Sequence, residues 1–364
     1  MKFNTISIEG SILSSDILDK IEQGELGGQR PLDFGFDASV KVKDEIVKAW
    51  ADAQDLWRIF KRHHADVAEG ATGTSETRKF WILPILSLLG YELELSKAEN
   101  INGKTYAISH RAKNLDAYPV HIMGFNDSLD KKREESGPRM SPHALVQEYL
   151  NLTEHLYAIV TNGIQLRLLR DASRLIKLSF IEFDLEAMME EEQYSDFAVM
   201  YRLIHASRMP VKMDCGAESL IEKYHQDALD SGSRIRDGLS NAVEFCIKTL
   251  ANGFLKHPAN TALREACADK KMNGDIYYKS QLRLIYRLLF LMVIEERDLI
   301  YPKGADRKKR DIYYNYYSIT RLRKHCEKSY LEEDKHDAHW LGLRTTFRLF
   351  ESEDTGRHLE IKTL

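Results

Sequence analysis

Between Ser141 and Asp184 the spacing of apolar positions changes twice. Leu145, Val146, Tyr149, Leu152 and Leu156 recur at three- and four-residue intervals, which predicts a helix. Ser141 is a good N-cap, and Pro142 sits at the first helical position, where its missing N–H costs nothing. Tyr157-Ala158-Ile159-Val160 then forms a compact run of strand-favouring residues, followed by Thr161-Asn162-Gly163. Asn-Gly between two apolar runs predicts a type I′ hairpin, because both residues tolerate positive φ. Leu166, Leu168 and Leu169 mark the return strand, and residues 175–183 read as a third. The segment predicts a helix packed on a sheet, the core of one domain.

Upstream, Ile46, Val47, Trp50, Leu56, Trp57 and Phe60 share one side of a helix over residues 44–62. Glu69-Gly70-Ala71-Thr72-Gly73-Thr74 is a flexible loop, and without a following Gly-Lys-Ser/Thr it is not a phosphate loop. Thr74 or Ser75 caps a second helix over 76–89, which Pro84 should kink and Gly90 end. Strands are predicted at 91–95, 105–110 and 119–123, with Asn102-Gly103 turning between the first two. A charged loop, residues 126–140, leads into the central helix. Residues 1–40 hold no sustained period and break at Gly24, Gly27 and Gly28, which suggests an N-terminal arm.

After Asp184 comes an acidic stretch, 186–196, read as the solvated face of a helix whose other face carries Met188, Met189 and Phe197. The remainder is helical in pattern. Residues 217–254 form one or two helices broken near Ser231-Gly232, and 277–299 a long helix buried nearly all round. Residues 313–324 continue after a basic break at 303–310. The expected organisation is an arm (1–40), an α/β domain (41–185) and a mainly α-helical domain (186–364).

Composition narrows the class. A length of 364 residues suits two domains, and 43% hydrophobic with 30% charged residues is globular. The net charge of −4 means that any nucleic-acid surface is a local patch. Cys215, Cys246, Cys267 and Cys326 are widely spaced, forming neither a zinc motif nor a disulfide framework, which suits a reducing cytoplasm. No signal peptide is evident at the N-terminus. The apolar run from Leu288 to Ile294 is far shorter than the roughly 20 residues a membrane span needs.

The predicted order of helix, three strands, helix, strand and hairpin resembles the PD-(D/E)xK nuclease core. That core presents an acid on its second strand and Glu-x-Lys on its third. Two carboxylates hold Mg²⁺ there, and the lysine activates water. Here the third strand reads Pro119-Val120-His121-Ile122-Met123-Gly124, and the second offers Ser109 and His110 where the acid belongs. The nearest carboxylates are Glu92, Glu94 and Asp116. Glu94 and Asp116 are the candidates for a divergent Mg²⁺-dependent endonuclease. Otherwise the core is a scaffold without its catalytic set, and no metal is called for. His121 reads as a core histidine. There is no Gly-x-Ser-x-Gly, no His-x-x-x-His pair, and His63-His64 would point about 100° apart on a helix.

The strongest binding signal is basic. Arg307, Lys308, Lys309, Arg310, Arg321, Arg323 and Lys324 are interleaved with Tyr313, Tyr314, Tyr316 and Tyr317. Such a set neutralises phosphates and stacks on bases. It reads equally as a solvated loop followed by a helix with core aromatics. Arg234 and Arg236 would extend a DNA-contacting patch.

Several phrases carry a wider resemblance: TRKFWILPILSLLGYELEL, SPHALVQEYLNLTEHLYAIVTNGIQLRLLRD, GSRIRDGLSNAVE, LRLIYRLLFLMVIEERDLIYP and YYSITRLRKHCE. In wording and order, over roughly residues 40–350, the chain resembles the N-terminal region of large type IIG-like adenine-specific DNA methyltransferases. These belong to bacterial restriction–modification and phage-defence systems of DISARM and BREX type. The resemblance implies a nuclease-like module and a helical connector that engage double-stranded DNA. It implies docking to a methyltransferase and target-recognition portion, or to other defence-system subunits, and no membrane association. The methyltransferase motif Asn/Asp-Pro-Pro-Tyr is absent, since no Pro-Pro occurs in the sequence. S-adenosylmethionine is therefore expected only on a methyltransferase domain outside this chain, which reads as a truncated product, a split subunit or a fragment, inactive alone.

Overall fold

The computed structural model describes residues 3–132, 140–171, 179–302, 304–328 and 337–362. The chain forms two compact units, Met1–Arg234 and Ile235–Leu364.

The first unit is mixed α/β. Strand β1 (Ile6–Glu9) and helix α1 (Ser15–Gln23) open the chain, followed by α2 (Val42–Ala65). Then come α3 (Thr74–Thr77), a π-helical turn (Arg78–Ile82) and α4 (Leu83–Leu88). Next are β2 (Leu93–Leu95), β3 (Glu99–Ile101), β4 (Lys104–Tyr106), β5 (His110–Ala112) and β6 (Tyr118–Ile122). Helix α5 (Pro142–Leu152) crosses to β7 (Tyr157–Thr161), then β8 (Gln165–Arg170) and β9 (Phe180–Asp184). The seven-stranded sheet has the order β1-β9-β8-β7-β6-β5-β2, while β3 and β4 form a separate hairpin. Every neighbouring pair is antiparallel except β6–β7, the parallel pair that α5 connects.

Alternation along the strands sorts side chains onto two faces. Val120, Ile122, Ile159, Leu168 and Ile181 join the larger core with α2, the π turn and α4, whereas Ala158, Val160 and Leu169 pack under α5 with Leu145, Val146 and Tyr149. The larger core is closed by α6 (Leu185–Glu190) and α7 (Tyr194–Ile204). Met188 and Phe197 are fully buried and Glu186, Glu191 and Glu192 are exposed, as the pattern predicts, but Asp196 at the end of the stretch is buried and accepts from Thr5 N and Oγ1 at 2.9 and 2.7 Å. Glu190 also accepts from Trp57 Nε1 and Lys61 Nζ, both at 2.7 Å.

Several expectations need correction. Residues 1–40 are not an arm: Ile6 to Glu9 pair with Phe183 to Phe180, and Ile12, Ile17 and Ile21 are buried. Arg208, itself fully buried, stacks on Phe34 at 3.7 Å and donates to the carbonyls of Gly28 and Asp33. Those partners lie about 180 residues away, so no local period announces them. Asn102-Gly103 is a turn, but it joins β3 to β4; β2 pairs with β5 instead. At Asn162-Gly163 only the glycine has positive φ, at 90°, so the turn is not type I′. Asn162 Oδ1 accepts from Ile164 N and Gln165 N, at 3.0 and 2.8 Å, an Asx turn. The helix over 217–254 is unbroken, as α8 (Leu220–Lys256), and Gly232 lies inside it. The compact units divide at 234/235 rather than 185/186, because α6, α7 and the start of α8 pack on the sheet's core. The first residues of the predicted strand at 175–183 lie outside the described residues.

The second unit contains the remainder of α8, then α9 (Thr261–Ala268), α10 (Gly274–Glu296), α11 (Arg307–Ile312), a π-helical turn (Tyr313–Tyr317), α12 (Ile319–Cys326), α13 (Ala338–Glu351) and α14 (Glu353–Gly356). Its core gathers Leu291, Ile294, Tyr313, Ile319, Phe347 and Phe350. Buried Glu295 organises it, accepting from Tyr313 Oη at 2.8 Å, Ile319 N at 2.7 Å and Thr320 N at 2.8 Å, so that a carboxylate anchors the N-terminus of α12. Helix α10 is not buried all round: Tyr286, Phe290 and Val293 are about half exposed or more.

Candidate functional site

The sheet edge where a nuclease core would hold its metal is built by three segments. The first is the turn into α3. Gly73, at φ 65°, packs so closely on Phe125 that a Cβ would lie 2.0 Å from its ring. Thr77 Oγ1 donates to Gly73 O and accepts from Phe125 N. Pro84 cannot donate and crowds the carbonyl four residues back, and the helix widens into the π turn just before it. That turn carries Arg78, whose Nε and Nη2 donate to Ile122 O at 3.2 and 2.7 Å.

The second and third segments are the residues before β5 and the end of β6. Ser109 lies across from His121: its backbone N–H donates to His121 Nδ1 at 3.3 Å, and its Oγ accepts from Ile122 N at 2.8 Å. Along the same row of the sheet follow Val160, Arg167 and Glu182. Arg167 is locked by Glu182 at 2.5 Å and by both oxygens of Asp130, at 2.6 and 2.8 Å, and serves the structure.

Between these segments and the start of α5 lies a cleft of about 320 Å³. Its polar lining is Thr74, Arg78, Ser109 and His121; its apolar lining is Ala107, Met123, Met140, Pro142 and Leu145. Burial, and next the positive charge of Arg78, push the neighbouring His110 down to about 4. Among the described residues no carboxylate lines the cleft. Mg²⁺ takes oxygen ligands, chiefly carboxylates and water, and the described lining supplies no carboxylate.

Glu94 is exposed on β2 with Arg111 as its cross-strand neighbour, and Arg111 is committed to Glu99 at 2.6 Å. Asp116 sits in the β5–β6 turn, at the opposite end of that strand pair from Ser109 and His121, and accepts from Met213 N at 3.0 Å. Among the described residues no group of three or more His, Cys, Asp or Glu is arranged to hold a metal ion.

The basic segment divides. Tyr313 is fully buried, Tyr314 and Tyr317 pack against the core, and only Tyr316 is largely exposed, so the interleaved tyrosines are mostly structural. Lys309 pairs with Glu360 at 2.5 Å and Arg310 with Asp298 at 2.9 Å. Arg323 lies 3.8 Å from Glu327, and Arg321 reaches the carbonyl of Tyr316. Arg307, Lys308 and Lys324 are exposed, and no acid among the described residues pairs with them. Arg78 and the cleft escaped sequence reasoning because three separate segments supply them and none has a motif.

No family model, curated protein or solved structure matches this chain. Among the described residues no helix is long and apolar enough to cross a membrane.

Proposed function

We propose that this chain is a DNA-engaging and partner-docking portion of a bacterial restriction–modification-type adenine-specific DNA methyltransferase. In this reading a PD-(D/E)xK-like α/β module has lost its catalytic ligands and is followed by a helical connector. One observation carries the reading. The order α4, β2, β5, β6, α5, β7, with β6 and β7 parallel, resembles that of such a core, and on this reading Ser109 and His121 stand where its acids would. Exposed Arg307, Lys308 and Lys324 support contact with double-stranded DNA. Methyl transfer, and with it S-adenosylmethionine, belongs to a partner portion.

Salt-dependent gel shifts test the reading. Neutralising R307Q, K308Q and K324Q together spares every ion pair described above. The triple variant is expected to weaken duplex binding and to flatten its salt dependence by about 0.9 log unit per lost phosphate contact. Unchanged binding would overturn the assignment of this surface. A second reading, an interaction scaffold without DNA contact, is favoured by exposed Ile235, Phe245 and Tyr286 in the second unit. Absence of any shift at low salt would select it.

A further inference from the structure

Helix α10 is apolar on two sides. Ile285, Leu291 and Ile294 are buried, the last two in the core of the second unit. The other side faces solvent, where Leu282, Tyr286, Leu289 and Val293 follow one another at spacings of four, three and four. That is the a and d spacing of a coiled-coil seam. Tyr286 is 61% and Val293 49% exposed, and Leu282 and Leu289 are partly so. One step beyond each end the same spacing reaches a charge, Lys279 before Leu282 and Glu296 after Val293. Both are exposed, and neither is ion-paired or hydrogen-bonded to another described residue.

The order of these residues decides what covers this side. Set a second α10 antiparallel to the first, the two crossing between Arg287 and Leu288. Lys279 then meets Glu296 of the second copy, Leu282 meets Val293, and Tyr286 meets Leu289. Each contact occurs twice, as a two-fold axis requires. Apolar residues cover apolar ones in the middle, and opposite charges close both ends. Beside the seam, exposed Arg283 falls next to exposed Phe290 of the second copy, a guanidinium beside a ring. A parallel pair sets Lys279 against Lys279 and Glu296 against Glu296, so charge selects the antiparallel one. The seam is roughly 25 Å long at about 1.5 Å per residue, and the helix is already formed on its inner side, so pairing carries no nucleation cost.

We propose that two copies of this chain associate through α10 as an antiparallel two-fold pair, closed at each end by Lys279 of one copy and Glu296 of the other. This association goes beyond the function proposed above and requires no DNA contact.

The test is sedimentation equilibrium of the full chain from about 1 to about 200 μM, at about 50 mM salt, where exposed charges are little screened. A concentration-dependent passage from monomer to dimer mass is expected, with a Kd on the order of micromolar, as for interfaces at the small end of the range. Tyr286→Ser removes an exposed ring and should weaken the dimer by at least about tenfold, with the circular dichroism of the monomer unchanged. Lys279→Glu and Glu296→Lys each set like charges opposite at both ends, and each should weaken the dimer by at least about tenfold. The double variant K279E/E296K restores opposite charges and should return the Kd to within about threefold of the parent. An equimolar mixture of the two single variants should form a heterodimer at concentrations where neither dimerises alone. A monomer throughout the range, a dimer indifferent to Tyr286→Ser, or no recovery in the double variant would each overturn the proposal. None of these outcomes depends on the gel-shift result with R307Q, K308Q and K324Q.

Discussion

Residues 1–234 and 235–364 use their apolar side chains differently. In the first unit Trp81, Tyr118, Tyr157, Phe183 and Phe197 are fully enclosed, and buried polar groups are tied into the sheet. Tyr157 and Arg170, for example, both bond Glu222, at 2.6 and 2.8 Å. Among the described residues of the second unit Tyr313 is the only one of the largest fully buried side chains, while Phe245 is 70% and Tyr286 61% exposed. A helix apolar on several faces needs neighbours on all of them. Among the described residues α10 has such neighbours on one side only. The first unit encloses most of its large aromatic side chains, and the second leaves several of its own exposed.

Acidification should separate the units most. Burial holds His110, His143, His155 and His205 of the first unit down at about 4. Their folded values lie below the unfolded value of about 6.5, so the unfolded state binds more protons in between. Their contribution is complete above about 6.5 and falls away as pH drops toward 4, by an amount on the order of several kcal/mol together. The second unit has no comparable set among its described residues. Hydrogen exchange at pH 7 and pH 5 should show protection lost in β5–β8 before α10–α13; equal loss would contradict the contrast.

Next in size is Trp81→Ala. The ring is fully buried and its Nε1 donates to Gly163 O at 2.7 Å, so about 3–5 kcal/mol should be lost in a denaturant titration. A loss below about 1 kcal/mol would mean that the core is looser than described. Glu295→Gln follows at about 2 kcal/mol, since the amide keeps the volume but forfeits charge-assisted bonds to α12. Its signature is faster exchange at Ile319 and Thr320 with β6–β8 unaffected. Smallest is Phe245→Ser, expected within about 0.5 kcal/mol because the ring packs on little. A larger loss would show the ring to be core.

Much of this architecture was legible where the signal is local. Helix α5 begins at its Ser141-Pro142 cap, with Ser141 Oγ accepting from Ala144 N at 3.2 Å. Strands β7 and β8 flank the predicted Asn162-Gly163 turn, although the turn's conformation differs because Asn162 uses its side chain rather than positive φ. What depends on distant partners was not legible. Strand β1 is four residues whose reason is β9. The cleft draws Arg78, Ser109 and His121 from segments 12 to 43 residues apart, with no spacing rule to join them. The run 288–294 is apolar enough for a core, but how many neighbours surround a helix is not written in that helix.

The proposed function turns on a nuclease-like sheet without its catalytic ligands in a chain that engages DNA. It is tested most directly by incubating the full chain with supercoiled plasmid and Mg²⁺, alongside a Glu94→Gln/Asp116→Asn double variant, at a salt concentration where the gel shift is complete. The account predicts retardation without nicking, identical for both proteins. Mg²⁺-dependent nicking by the parent chain, lost in the double variant, would contradict it.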